Sequence, residues 1–564
     1  MLGSIRNLMM VLKPKERRRL FAILMMLLIA VGFETVSVAV VLPILTTLTK
    51  ISSVDQAAID EIEFLNLYGN SAILIGSSAL ITLFLLKAMY LTFNTWVQKG
   101  FTTGLDYRVS SELFSGYVSQ PYLFHLNSNS SELVRRSNSA SVISTGYVEP
   151  LLTIIGEGSV VIAILVFIAI KNPIATLVSG IGASVILFSF QMATRRIVSQ
   201  FAEARENDEI VRVKTINEGL MGIREMKVFK KTSFYVSRYN KSAINVSKAN
   251  RTFSTVLNAP KNFLEPIFLV FLSISVAVSL WVNTGSENLI ANVGLLAAAG
   301  YRVMPSVNQI FSAIHTARFN SPVILKIIED LKLDTSLENR VKNIVVNESI
   351  TEYFEVNLLS YNFPGQSRSL FRDLSFTVKR GEILGIKGES GAGKSTLINV
   401  LIGLLAPSSG SINFYTHNNG SSEKSLNPIV GYVPQEIFLL DETILRNIAF
   451  GEDESEINKN NVIKAVNACA LDELIDSLPN GLDTNIGERG VRLSGGQRQR
   501  IGIARALYVN PRVLILDEST SALDSETEFS IMQSVENLSQ NFCTIIVSHR
   551  ESTLAMCNKV IELV

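Results

Sequence analysis

The stretch Glu382-Ile-Leu-Gly-Ile-Lys387 followed by Gly388-Glu-Ser-Gly-Ala-Gly-Lys394-Ser395-Thr396 decides the fold of the C-terminal half. A short apolar strand runs into a glycine-rich turn, and a helical pattern opens at Leu397. The spacing is Gly-x-x-x-x-Gly-Lys-Ser in strand–turn–helix context, the loop that wraps phosphate oxygens with inward-pointing backbone N–H groups. Gly388, Gly391 and Gly393 give the backbone that freedom, with Ser390 and Thr396 completing the loop. The helix behind it adds the positive end of its dipole. Lys394 is placed to reach the β- and γ-phosphates, and the Ser395 hydroxyl to coordinate Mg²⁺.

Two further signals lie downstream. Val513-Leu-Ile-Leu-Asp517-Glu518 is an apolar strand ending in two carboxylates. Asp517 is placed to hold Mg²⁺ through water, and Glu518 to orient or polarise an attacking water. Leu493-Ser494-Gly495-Gly496-Gln497 opens a helix that continues through Leu507, a second device for holding an anion at a helix N-terminus.

The rest of the chain has another solvent. Of 564 residues, 47% are hydrophobic and only 18% charged, against about 25% in ordinary soluble domains. Lys plus Arg total 51 and Asp plus Glu 50, so the net charge of +1 argues against a basic nucleic-acid surface. Before residue 320, apolar runs recur at about 20–46, 71–97, 147–170, 173–194, 253–282 and 289–311, each long enough to cross a bilayer as helix. Arg6, Lys13, Lys15, Arg17, Arg18 and Arg19 hold the start of the chain in the cytoplasm. The acidic first loop then lies outside, and the basic second and fourth loops inside. Those two inside loops keep a helical polar pattern, as over Glu203–Glu225 and Val236–Arg251, and read as membrane helices continued into water. Cys469, Cys543 and Cys557 have neither zinc nor disulfide spacing, as in a reducing compartment.

The expected architecture is an α-helical six-span transmembrane domain over residues 1–320, a linker over 321–348, and an α/β P-loop nucleotide-binding domain over 349–564.

Gly388–Ser395, Gln435, Leu493–Gln497, Asp517–Glu518, Ser521–Asp524 and His549 together resemble the motif set of an ABC transporter ATPase domain, over about residues 350–564. Thr484-Asn-Ile-Gly-Glu-Arg-Gly490 resembles the exporter branch. The resemblance implies ATP and Mg²⁺ as ligands. Phe363 aligns with the aromatic that stacks on adenine, with Tyr361 as the alternative. Gln435 aligns with the glutamine that contacts Mg²⁺, Asp524 with the residue that communicates between two sites, and His549 with the switch histidine on the γ-phosphate. It also implies a head-to-tail homodimer of twelve spans, each ATP lying between Lys394 of one copy and Ser494 of the other, in a bacterial cytoplasmic (inner) membrane. The segments near Gln120–His125 and Lys230–Tyr235 would then couple the ATPase to the membrane helices.

For the cargo, the ionisable residues inside the apolar runs matter most, because they are expensive there and face cavities. Lys87, Lys261 and Arg302 against Glu34 leave three positive charges facing one negative, an arrangement that attracts an anion. Phe33-Glu34-Thr-Val-Ser-Val-Ala-Val-Val-Leu-Pro43 and Gly300-Tyr-Arg-Val-Met-Pro-Ser-Val-Asn-Gln-Ile310 are similar to segments of the bacterial flippases for lipid-linked oligosaccharides of protein N-glycosylation. The outside segment Ser53–Tyr68 resembles that family's external helix. The implied cargo is an amphipathic, anionic lipid-linked oligosaccharide. The competing reading keeps the engine and changes the cargo to a drug, another lipid or a peptide.

Overall fold

A computed structural model describes residues 11–40, 70–171, 173–281, 286–333, 351–365, 369–389, 391–418, 421–425, 430–518, 525–540 and 542–563. The expected external helix at 53–68 lies outside the described residues, as do Ser390 and Asp524. The chain forms two compact units. One comprises Met1–Gln120 with Ser128–Thr335, the other Pro121–Asn127 with Ser336–Val564.

In the first unit the apolar runs lie on long helices: α1 (Pro14–Ala39), α2 (Asn70–Val118), α3 (Glu149–Lys171), α4 (Pro173–Met221), α5 (Thr232–Trp281) and α6 (Ser286–Asp330). Among the described residues, Pro14–Ala39, Ser77–Val118 and Ser144–Ile170 are long and apolar enough to cross a membrane. α4 carries the polar stretch after Thr194 without a break, and α5 begins in polar sequence at Thr232. Ion pairs shielded from water tie the polar parts of this unit's helices together. Arg135 pairs with Glu206, Arg136 binds both oxygens of Asp330 at 2.9 Å, and the Tyr117 hydroxyl donates to the same Asp330 at 2.5 Å. Val160, Ile164 and Ile168 recur at helical spacing on α3 and pack with Val38 and Leu296.

The second unit contains two sheets. β2 (Phe371–Lys379), β1 (Thr351–Tyr361), β4 (Ser409–Asn418) and β5 (Ser421–Ser425) form an antiparallel sheet in that order. The other sheet is parallel, in the order β6 (Val430–Val433), β7 (Val513–Asp517), β8 (Cys543–Val547), β3 (Ile383–Gly388), β9 (Lys559–Leu563). Every residue of β7 and β8 is buried, which is why both read as unbroken apolar runs rather than alternating ones. The helices of this unit include α7 (Lys394–Leu401), α8 (Gly495–Tyr508) and α9 (Ser525–Ser539). The short helix Tyr122–Asn127 belongs to this unit, and Tyr122 and Leu123 pack against its core.

Candidate nucleotide-binding site

The parallel sheet gathers the chemistry at one edge. Ile386 pairs with Val547, Asp517 with Val547, and Val433 with Leu516, so β3, β6, β7 and β8 end side by side. Open parallel sheets bind ligands at the carboxyl ends of their strands. The loop after β3 carries Gly391 at φ +91° and Gly393 at φ +89°, left-handed conformations that side chains rarely adopt. A Cβ at Gly391 would meet only open space, so the backbone conformation rather than crowding is what favours glycine there. Gly393 caps α7, and Lys394 and Ser395 open its first turn.

Lys394 Nζ donates to the carbonyls of Gly388 at 2.8 Å and Glu389 at 3.1 Å, and lies 2.8 Å from His549 Nε2. His549 Nε2 is also 3.1 Å from Glu518 Oε1, while Gln435 Nε2 donates to Glu518 Oε2 at 2.8 Å. Glu518 is therefore the node of the site, flanked by the residues that follow β6 and β8. One imidazole nitrogen cannot accept from the lysine and donate to the carboxylate at once, so the tautomer decides which of the two contacts is a hydrogen bond. Glu518 is also held in the left-handed region at φ +46°, its N–H donating to Val547 O at 2.9 Å. For a residue with a side chain that conformation is strained, and strain of this kind collects at functional sites. Nothing in the local sequence announces it.

Asp517 is 7% exposed, and burial, reinforced by the charge of Glu518 against the opposing pull of Lys394, pushes its carboxyl up to about 6. Two adjacent carboxylates, one desolvated, with an exposed Ser395 hydroxyl across the loop make an oxygen donor set that suits a divalent cation. The residues present thus fit both a triphosphate and Mg²⁺.

Ser494 caps α8. Its Oγ accepts from Gln497 N at 3.2 Å, and Gln497 Oε1 accepts from Ser494 N at 2.8 Å. The Gln497 side chain therefore closes a capping box, while Gly495 and Gly496 occupy the first turn. Of the two candidate adenine-stacking rings, Tyr361 is 4% exposed and packed in the core, edge-on to Phe363 at 5.3 Å. Phe363 keeps an accessible face.

The charged residues of the membrane helices form one network. Glu34 Oε2 accepts from Lys87 Nζ at 3.0 Å and from Arg302 Nε at 2.8 Å. Lys87 also donates to Ser37 Oγ at 3.0 Å. Arg302 Nη1 donates to Ser306 Oγ at 2.8 Å and lies 3.4 Å from Glu157 Oε2, which accepts from Ser306 Oγ at 2.6 Å. The expected surplus of positive charge does not exist in this network. Two cations meet two carboxylates, and Lys261 is exposed on α5 and takes no part. Glu157 is the residue that sequence reasoning passes over. It sits in an apolar run, and only the packing of α3 against α6 turns it toward Arg302.

Both units match known families. Residues 371–521 match the ABC transporter model and residues 20–296 the ABC transporter transmembrane region. The chain belongs to the ABC transporters as an exporter half-transporter, a membrane protein that binds and hydrolyses ATP to drive transport. It is 28% identical to the "ATP-dependent lipid A-core flippase" of Bordetella avium (strain 197N), over 86% of this chain and 82% of that one. The flippase of the same description from Ralstonia nicotianae is 28% identical over 80% of this chain and 76% of its own. The fold matches a bacterial Atm1-family ABC exporter solved with ATP bound, at a TM-score of 0.76 and 20% identity, covering 97% of this chain and 93% of that one.

Proposed function

We propose that two copies of this chain form a homodimer in a bacterial cytoplasmic membrane and use ATP to flip an amphipathic lipid with an anionic, sugar-bearing headgroup, a lipid-linked oligosaccharide. The observation that carries the engine is Glu518 held between Gln435 and His549, beside Lys394. In this reading Glu518 orients the attacking water and accepts its proton, and His549 contacts the γ-phosphate. The loop Gly388, Ser390, Gly391, Gly393, Lys394, Ser395 and Thr396 cradles the phosphates, and Phe363 stacks on adenine. Ser395, Gln435 and Asp517 would hold Mg²⁺, whose charge would offset that of the phosphates. The signature residues Ser494–Gln497, with Asp524, complete the site of the other copy.

Support for the homodimer comes from the two cytoplasmic tips. The first tip, Tyr122–Asn127, packs against an ATPase core, whereas Met221, Val228, Phe229 and Phe234 of the second are exposed. An apolar cluster of that kind suits a second copy of the chain. Support for a lipid cargo comes from relatives along both halves that are lipid A-core flippases. The test is ATP turnover in lipid nanodiscs. Added lipid-linked oligosaccharide is expected to stimulate hydrolysis several-fold, and stimulation by a neutral hydrophobic drug instead would overturn the cargo assignment.

A further inference from the structure

Glu528 lies outside the phosphate loop, the signature segment and the strand-end carboxylates. It sits one turn into α9, the helix that begins directly after Ser521–Asp524, and it is 7% exposed. A carboxylate so placed is costly unless its oxygens are satisfied. Both are: Arg550 Nη1 pairs with Oε2, and Thr553 Oγ1 donates to Oε1 at 2.8 Å. Both partners follow His549 closely, one residue and four residues after it. Arg550 N also donates to Ser548 Oγ at 3.0 Å, which closes the turn on the other side of the histidine.

We infer that Glu528 is a positioning residue for hydrolysis, a clamp that sets the reach of His549 toward Glu518 and Lys394 and ties it to the helix behind Asp524. The bidentate use of one carboxylate fixes the loop in two places, so the imidazole is presented without a conformational search. Movement of α9 is thereby transmitted to the histidine through a short chain of polar contacts. The inference rests on the proposed role of His549 at the γ-phosphate.

The experiment measures steady-state ATP hydrolysis and thermal unfolding of the full chain in nanodiscs for Glu528→Gln, Thr553→Val and His549→Ala. If Glu528 positions the histidine, Glu528→Gln lowers kcat about tenfold with KM for ATP unchanged, and Thr553→Val lowers it by a smaller factor at an unchanged melting temperature. Arg550→Lys, which keeps the charge, retains more activity than Arg550→Ala. Wild-type kcat in both Glu528→Gln and Thr553→Val, with His549→Ala inactive, overturns the clamp and leaves the proposed chemistry standing. Wild-type kcat in His549→Ala overturns the reading on which the clamp rests. Should Glu528→Gln fail to fold, Thr553→Val decides alone: an unchanged kcat overturns the clamp.

Discussion

Glu518 Oε2 accepts a hydrogen bond from Gln435 Nε2 at 2.8 Å across 83 positions of sequence. The pairing exists because β6 and β7 are neighbours in the parallel sheet, with Val433 opposite Leu516. A glutamine that fixes one carboxylate oxygen leaves the other directed at the phosphate side, where His549 stands 3.1 Å away. Glu518→Gln keeps the shape and removes the base. We expect kcat to fall by about a hundredfold or more with ATP affinity retained, read by phosphate release and by nucleotide-binding titration.

The membrane network makes an asymmetric prediction. Glu34 pairs with two cations, Lys87 and Arg302, and is itself 8% exposed. Glu34→Gln strips both of their shared partner, and breaking a buried pair from one side costs about 3–5 kcal/mol. Glu157→Gln leaves Arg302 its bond to Glu34 and is expected to cost less. Thermal unfolding of the two variants in one detergent checks the order.

Close packing of α5 and α6 depends on Gly300. A Cβ there would lie 1.9 Å from Phe268 Cε2, so Gly300→Ala forces the ring to move. Overpacking of this kind costs about 1–3 kcal/mol. The expected signature is a lowered melting temperature that Phe268→Leu restores in the double variant, which neither substitution acting independently would produce.

The three cysteines are expected to be silent. Cys469 is buried and its thiol is held well above the ordinary range by desolvation; burial pushes Cys543 up to about 12 and Cys557 up to about 11. The reactive species is the thiolate, so at pH 8 the folded protein should resist a maleimide. Mass spectrometry should find no label on native protein and three labels per chain after denaturation.

The motifs of the ATPase were legible because each is local: a phosphate loop needs only consecutive residues, and β7 and β8 advertise their burial as apolar runs. The long helices were legible for the same reason, since bilayer-length runs and the polar stretches behind them are properties of single segments. What stayed hidden depends on packing between segments. Tyr361 and Phe363 are two positions apart, and only the fold shows that the tyrosine is committed to the core. Glu157 looked like an isolated acid until α3 met α6, and with Glu34 it balances Lys87 and Arg302, leaving Lys261 outside the network. The left-handed backbone of Glu518 leaves no trace in a sequence at all.

One assay bears on the whole scheme. Protein reconstituted in vesicles carrying a fluorescent lipid-linked oligosaccharide is given ATP, and headgroup exposure is followed by quenching from one side. The expected result is ATP-dependent movement of the lipid between leaflets by the natural protein and none by Glu518→Gln. Brisk ATP hydrolysis by the natural protein with the lipid left in its original leaflet would contradict it.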